Sequence, residues 1–187
     1  MLDDLDKALE ARGYRHVRYA DDLVVLLRDR SEAKQALAWV KEVLGELKLS
    51  LHETKTKVTG IGGGFTFLGF QFRGRWISIA PKAIERLKDK VRYLTRRQQG
   101  RNVEAVLAKL NPLVRGWARY YGVADVWGSF NRLDRWLRMR IRSFKLKRRC
   151  KNDNWRLPNR KLERWGMLLL QQCRPTLRFS SMGMVRP

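Results

Sequence analysis

The hydrophobic pattern of this chain changes at Pro81, from a mixture of helix-like and strand-like spacing to helix-like spacing alone. Before Pro81, helix-spaced stripes alternate with short apolar runs broken by Asp, Gly and Arg-Gly-Arg turns. After it, apolar residues recur every three to four positions, as on helices. Charge changes at the same place. Residues 1–80 carry 13 Lys/Arg and 11 Asp/Glu, a balance of +2; residues 81–187 carry 28 and 7, a balance of +21. A surface this basic repels itself unless an anionic partner neutralises it, nucleic acid first and a membrane surface second. Hydrophobic residues make up 44% of the 187, too many for a disordered tail. Apolar runs such as Leu23–Leu27 are far too short to span a bilayer. The acidic start (Asp3, Asp4, Asp6) is no secretory signal. Cys150 and Cys173 form no CxxC pair, which argues against zinc and reads as reduced thiols in the cytoplasm.

The spacing predicts a helix over Asp3–Arg12, closed by Gly13. Two strands within Val17–Leu27 meet at Ala20-Asp21-Asp22. Ser31 is the expected N-cap of a helix reaching Leu47, striped by Ala36, Leu37, Val40, Val43, Leu44 and Leu47. Leu49 and Leu51 alternate as in a strand. Phe65–Phe72 and Trp76–Ile79 are strand-rich around Arg73-Gly74-Arg75. Beyond Pro81 one helix has an apolar stripe (Ile84, Leu87, Val91, Leu94) and a basic face of Lys82, Arg86, Lys90 and Arg97. A short helix follows over Val103–Leu110. Asn111 is expected to cap another with Pro112 at its first position, and Ser129 to cap a third. Lys145–Lys151 reads as that helix's exposed basic end, and a last helix as Leu162–Leu170. The fold class is α+β, antiparallel strands plus helix and then an all-α basic region.

The acidic turn carries the chemistry. Two carboxylates side by side repel each other unless a cation lies between them. Their hard oxygens suit Mg²⁺ bound with substrate phosphates, the setting of phosphoryl transfer. An ordinary turn is the competing reading, since Asp is common in turns.

Arg18-Tyr19-Ala20-Asp21-Asp22 followed by Leu23-Val24-Val25 resembles the YxDD palm motif of reverse transcriptases. Leu49-Ser50-Leu51-His52-Glu53-Thr54-Lys55-Thr56 resembles the next palm block, and Phe67-Leu68-Gly69-Phe70 the primer-grip hairpin. The run Leu110-Asn111-Pro112-Leu113-Val114-Arg115-Gly116-Trp117-Ala118-Arg119-Tyr120-Tyr121 resembles the thumb, or maturase, motif of group II intron-encoded proteins. The four blocks stand in the family's order across roughly residues 1–150.

The resemblance implies part of a right-hand polymerase palm over 1–80, then a thumb/maturase region over 81–187. The implied activity is copying RNA into DNA and helping intron RNA fold and splice. Asp21 and Asp22 are the implied catalytic and Mg²⁺-binding residues. Lys55 would approach the nucleotide phosphates, where a cation stabilises developing charge; a surface lysine is its plain alternative. Gly69 lets a nucleic-acid backbone come close, or marks a simple bulge. Arg115 and Arg119, Arg132 and Arg135, and Arg138 and Arg142 form rows suited to phosphates. The implied partners are intron or template RNA and an RNA/DNA duplex, with no membrane. A third palm carboxylate and the fingers are missing from the residues before Asp21. This chain is therefore expected not to polymerise alone, and its palm sheet to leave an edge and an apolar face uncovered. Two alternatives stay open: a non-catalytic RNA-binding module, and one subunit of a polymerase whose N-terminal half is separately encoded.

Overall fold

The computed structural model describes residues 2–98, 100–124, 126–148 and 153–175. Cys150 and the end of the basic run Lys145–Lys151 lie outside the described residues. The fold is α+β, with small antiparallel pairings early and helices later. The chain forms two compact units, residues 1–75 and 76–187.

In the first unit, α1 (Leu2–Ala11) leads through Gly13, at φ +70°, into β1 (Arg15–Tyr19) and β2 (Asp22–Leu26). These strands pair antiparallel, Tyr19 opposite Asp22 and Arg18 opposite Leu23. Then comes α2 (Arg30–Glu46). Its N-cap is Asp29, not Ser31. The Asp29 carboxylate accepts from the Glu32 N–H at 2.8 Å, and the Glu32 carboxylate accepts from the Arg28 N–H at 2.9 Å. That reciprocal closure satisfies two backbone donors, which Ser31 alone cannot do. Leu5 and Leu9 of α1 bury against Val40 and Leu44 of α2, with Leu23 and Val25 of β2 packed on them. Leu49 and Leu51 also cover this core, but from irregular backbone rather than the expected strand. Alternating apolar residues were satisfied there by packing on helices, without a ladder. A hairpin of β3 (Phe65–Phe67) and β4 (Phe70–Arg73) closes the unit. Leu68 and Gly69 turn it at φ +50° and +79°, both positive as a type I′ turn demands. The Phe65 and Phe72 rings stack across the strands at 5.0 Å.

The second unit opens with β5 (Trp76–Ile79) and α3 (Pro81–Leu94), followed by α4 (Val103–Tyr121), α5 (Trp127–Lys145) and the short α6 (Asn159–Arg164). Its core is Leu87 and Val91 of α3, Val106, Leu110 and Val114 of α4, and Phe130, Leu137 and Ile141 of α5, all at most 2% exposed. The two helices expected around Asn111 are one. Pro112 lies inside α4, where proline removes a backbone hydrogen bond at a cost of about 3 kcal/mol. Both Pro112 and Ala108, whose carbonyl loses that partner, are exposed, so water reaches the gap. Leu110 and Val114, on either side, are fully buried and hold the helix continuous. Likewise α5 starts at Trp127, which places Ser129 inside its first turn rather than at the cap. The last helix ends at Arg164. Residues from Met167 to Leu170 run on without helix, their apolar side chains largely buried.

Freed from capping, Asn111 has another task. Its amide donates to the Gly166 carbonyl at 2.8 Å and accepts from the Leu168 N–H at 3.1 Å. Asp134, 3% exposed, accepts from the N–H groups of Leu170 at 2.8 Å and Gln171 at 3.2 Å. Burial pushes its carboxyl above the ordinary range, opposed by those two N–H groups. Two side chains of α4 and α5 thus satisfy a buried, non-helical segment. Asn111→Asp keeps the acceptor but cannot donate to Gly166. It should cost about 0.5–1.5 kcal/mol, measured as a lowered urea midpoint at unchanged slope; an unchanged midpoint would refute the clamp.

Candidate metal turn and nucleic-acid interface

Asp21 and Asp22 sit at the tip of the β1–β2 hairpin, both exposed. Ala20 and Asp21 form its two-residue turn, and Asp22 is the first residue of β2. Ala20 adopts φ +51°, a left-handed conformation that costs a non-glycine residue roughly 1–2 kcal/mol. Such strain persists only where neighbours enforce it. Here Arg18 does so. Its Nε donates to both Asp6 oxygens at 2.8 and 3.0 Å, its Nη2 pairs with Asp6, and its Nη1 donates to the Ala20 carbonyl at 3.3 Å. One guanidinium therefore ties α1 to the acidic turn. His16 adds a second neighbour, 3.6 Å from Asp6. Neither Asp6 nor this role for Arg18 was anticipated; the only clue in the sequence was an Arg two residues before the turn.

Strand alternation sorts the hairpin's faces. Leu23 and Val25 face the helices. Tyr19, Asp22, Val17 and Leu26 belong to the opposite face, where Val17 is 55% and Leu26 51% exposed. An uncovered apolar face was expected, and the described strands leave one. Lys55 lies in an exposed turn, its N–H donating to the His52 carbonyl at 3.0 Å. No hydrogen bond or ion pair joins Lys55 to Asp21 or Asp22 among the described residues. Two carboxylates are the right kind of donor for a hard divalent ion, which keeps several waters or phosphate oxygens of its own. Among the described residues, no group of three or more His, Cys, Asp or Glu completes such a site.

In the second unit, Lys82, Arg86 and Lys90 line an exposed face of α3, Arg115 and Arg119 one of α4, and Arg132 and Arg135 one of α5. Arg138 is half-buried. Gly116 lies between Arg115 and Trp117, and a Cβ there would meet nothing within 4 Å. Trp117 is largely packing, its ring 4.6 Å from Tyr121 and 5.7 Å from Phe130, whereas Tyr120 is 50% exposed. Arg142 departs from its expected place on the phosphate-facing row. It is 6% exposed, with Nε donating to the Leu157 carbonyl at 2.8 Å and Nη2 to Asn159 Oδ1 at 2.7 Å. One helical turn separates Arg138 from Arg142, but α5 faces residues 157–159 at its end. The next arginine on the helix, Arg140, is also internal, donating to Thr95 Oγ1 and the Thr95 carbonyl.

The reverse transcriptase (RNA-dependent DNA polymerase) family model matches residues 1–72, and the group II intron maturase-specific domain model matches residues 84–165. The chain belongs to the group II intron reverse transcriptase/maturase family. No curated relative matches it. The reverse transcriptase match contains the acidic turn, Lys55 and Gly69; the maturase match contains all of α4 and α5. A family of this kind works with a divalent metal and with RNA.

Two outcomes follow from this geometry. The Arg18 hydrogen bonds, opposed by burial and helped by the charges of Arg18 and His16, hold the Asp6 carboxyl below the ordinary range. A lowered carboxylate contributes stability above its unfolded value, about 3.9, and loses it as pH falls through the folded value. The stability gap between wild type and Asp6→Asn should therefore shrink as pH drops below about 4; a gap constant with pH would refute the bridge. Separately, Arg142→Gln should lower stability by about 1–3 kcal/mol while Arg119→Gln stays within about 0.5 kcal/mol. Equal effects on thermal unfolding would place both on the surface.

Proposed function

We propose that this chain supplies the palm turn and the RNA-binding thumb of an intron-type RNA-directed DNA polymerase/maturase. The observation that carries the reading is the order of the two family matches along one chain, acidic hairpin first and basic helices second. On this proposal residues 1–80 are palm and 81–187 thumb/maturase. Asp21 and Asp22 hold Mg²⁺, which when bound supplies positive charge to phosphoryl oxygens. Arg18 and Asp6 position that pair. Lys55 and Gly69 face the nucleotide and the primer. Lys82, Arg86, Lys90, Arg115, Arg119, Arg132, Arg135 and Arg138 take the phosphates of intron RNA or of the template duplex, met in the cytoplasm.

No helix among the described residues is long and apolar enough to cross a membrane. The separately encoded partner half has one observation in its favour, the exposed Val17, Tyr19 and Leu26 on the hairpin.

Binding of a structured intron RNA across a salt series tests the proposal. Log affinity should fall with log salt at about 0.7 to 0.9 per phosphate contacted. Arg115→Gln/Arg119→Gln should flatten that slope by up to about two. A salt-independent affinity, or no change in slope, would refute phosphate binding by α4. Primer extension with Mg²⁺ and all four deoxynucleotides should give no more product from the chain alone than from Asp21→Ala; clear extension above that control shows a catalytic centre complete in these residues.

A further inference from the structure

A small cavity opens where the α3–α4 connection meets the end of α5. Its volume is about 150 Å³, and its lining includes Arg97, Arg101, Lys145 and Lys147 beside Gly100 and Asn102. That equals about five waters. It is below the roughly 300 Å³ at which pockets begin to bury a drug-sized ligand. The space suits one compact anionic group.

Among the described residues, no acidic side chain lines the cavity. None of the four cations has a carboxylate partner among the described residues. This contrasts with α3, where Lys88 and Arg92 pair with Glu85 and Asp89. Four like charges around one small space repel each other unless an anion joins them. The backbone bends to gather them. Lys147 stands at φ +50° just after α5, its N–H donating to the Phe144 carbonyl at 3.3 Å. A left-handed residue just past the C-cap is a common helix ending, and this one ends α5 beside the cavity. The opposite wall is the start of α4, whose N-terminal end is partly positive. Nearby, Arg140 is held below the ordinary arginine range by burial first, then by the charges of Arg92 and Arg97. The local field is therefore positive and unbalanced.

We propose that this cavity is a binding pocket for a single phosphate group, and that the group it takes is a backbone phosphate of the RNA. It rests on the RNA-binding reading above, but it is separate from the basic helix faces in that reading. Those faces are open rows that can follow a strand at many registers. A partly open pocket takes one phosphate at one place while the flanking riboses stay outside, so it fixes register on the RNA without reading a base.

The test is a two-part titration on the full chain. Inorganic phosphate, added at constant ionic strength against a chloride control, is followed by the amide resonances of Gly100, Asn102 and Val103. Saturable shifts confined to these amides are expected with phosphate and not with chloride. Arg101→Gln/Lys147→Gln should weaken that binding at least tenfold, whereas Arg115→Gln/Arg119→Gln should leave it unchanged. All four side chains are exposed, so the variants should keep the wild-type amide spectrum elsewhere. In the second part, Arg101→Gln/Lys147→Gln should flatten the salt slope of RNA binding by about one to two. Absence of saturable phosphate shifts, or an equal response to chloride, overturns the pocket. Phosphate binding with an unchanged RNA slope overturns RNA as its source. Failure of the chain to bind RNA at any salt, with phosphate still saturating the pocket, overturns the RNA-binding reading and leaves an anion site.

Discussion

Repulsion among the cations of residues 81–187 is the constraint on which the helical unit is built. With 28 Lys/Arg and 7 Asp/Glu, the unit cannot neutralise itself pair by pair. Its carboxylates are used sparingly. Glu85 and Asp89 hold Lys88 and Arg92 on α3, and Asp153 pairs with Arg148. Asp134 is spent on backbone N–H groups instead of a cation. Surface pairs of this kind contribute little to stability, about 0–1 kcal/mol each. The unit stands on its apolar core, and many of its other described cations, such as Lys82, Arg86, Arg115 and Arg119, stay open on its surface, available to an anionic ligand.

Two arginines on α5 show how the fold separates structural from ligand-facing charge. Arg140 and Arg142 enter the interior because carbonyls and side-chain oxygens of neighbouring segments are there to accept from them. A guanidinium with several fixed acceptors is tolerated in a place where a lone charge is not. Arg132 and Arg135, a turn or more earlier, meet no such acceptors among the described residues and remain outside. In the first unit Arg18 plays the same structural part, holding the Ala20 carbonyl and so the direction of the acidic turn.

Elements with strong local signals were legible before the structure. The hairpin at Asp21-Asp22 and the α2 stripe depend on neighbours within a few residues, whereas the hairpin around Leu68-Gly69 was legible only through the family resemblance. Ser31 lost its place as a cap to a local competitor, Asp29, whereas three other misses came from packing against other segments. Pro112 read as a helix start until the buried side chains of Leu110 and Val114 kept α4 intact. Asn111 read as a cap until residues 166–168 took its amide. Leu49 and Leu51 read as a strand because packing on a helical core also rewards alternation.

The sequence by itself determined the α+β class, the order of the family's motifs and the concentration of positive charge after Pro81. Those features are set by residue type and spacing along the chain. Only the tertiary structure decided which arginines serve the fold and which face solvent. It alone joined Asp6 to the acidic turn, and it alone brought Arg97 and Arg101 beside Lys145 and Lys147. Each of these is a meeting of side chains from separate elements, and spacing within one element carries no record of it.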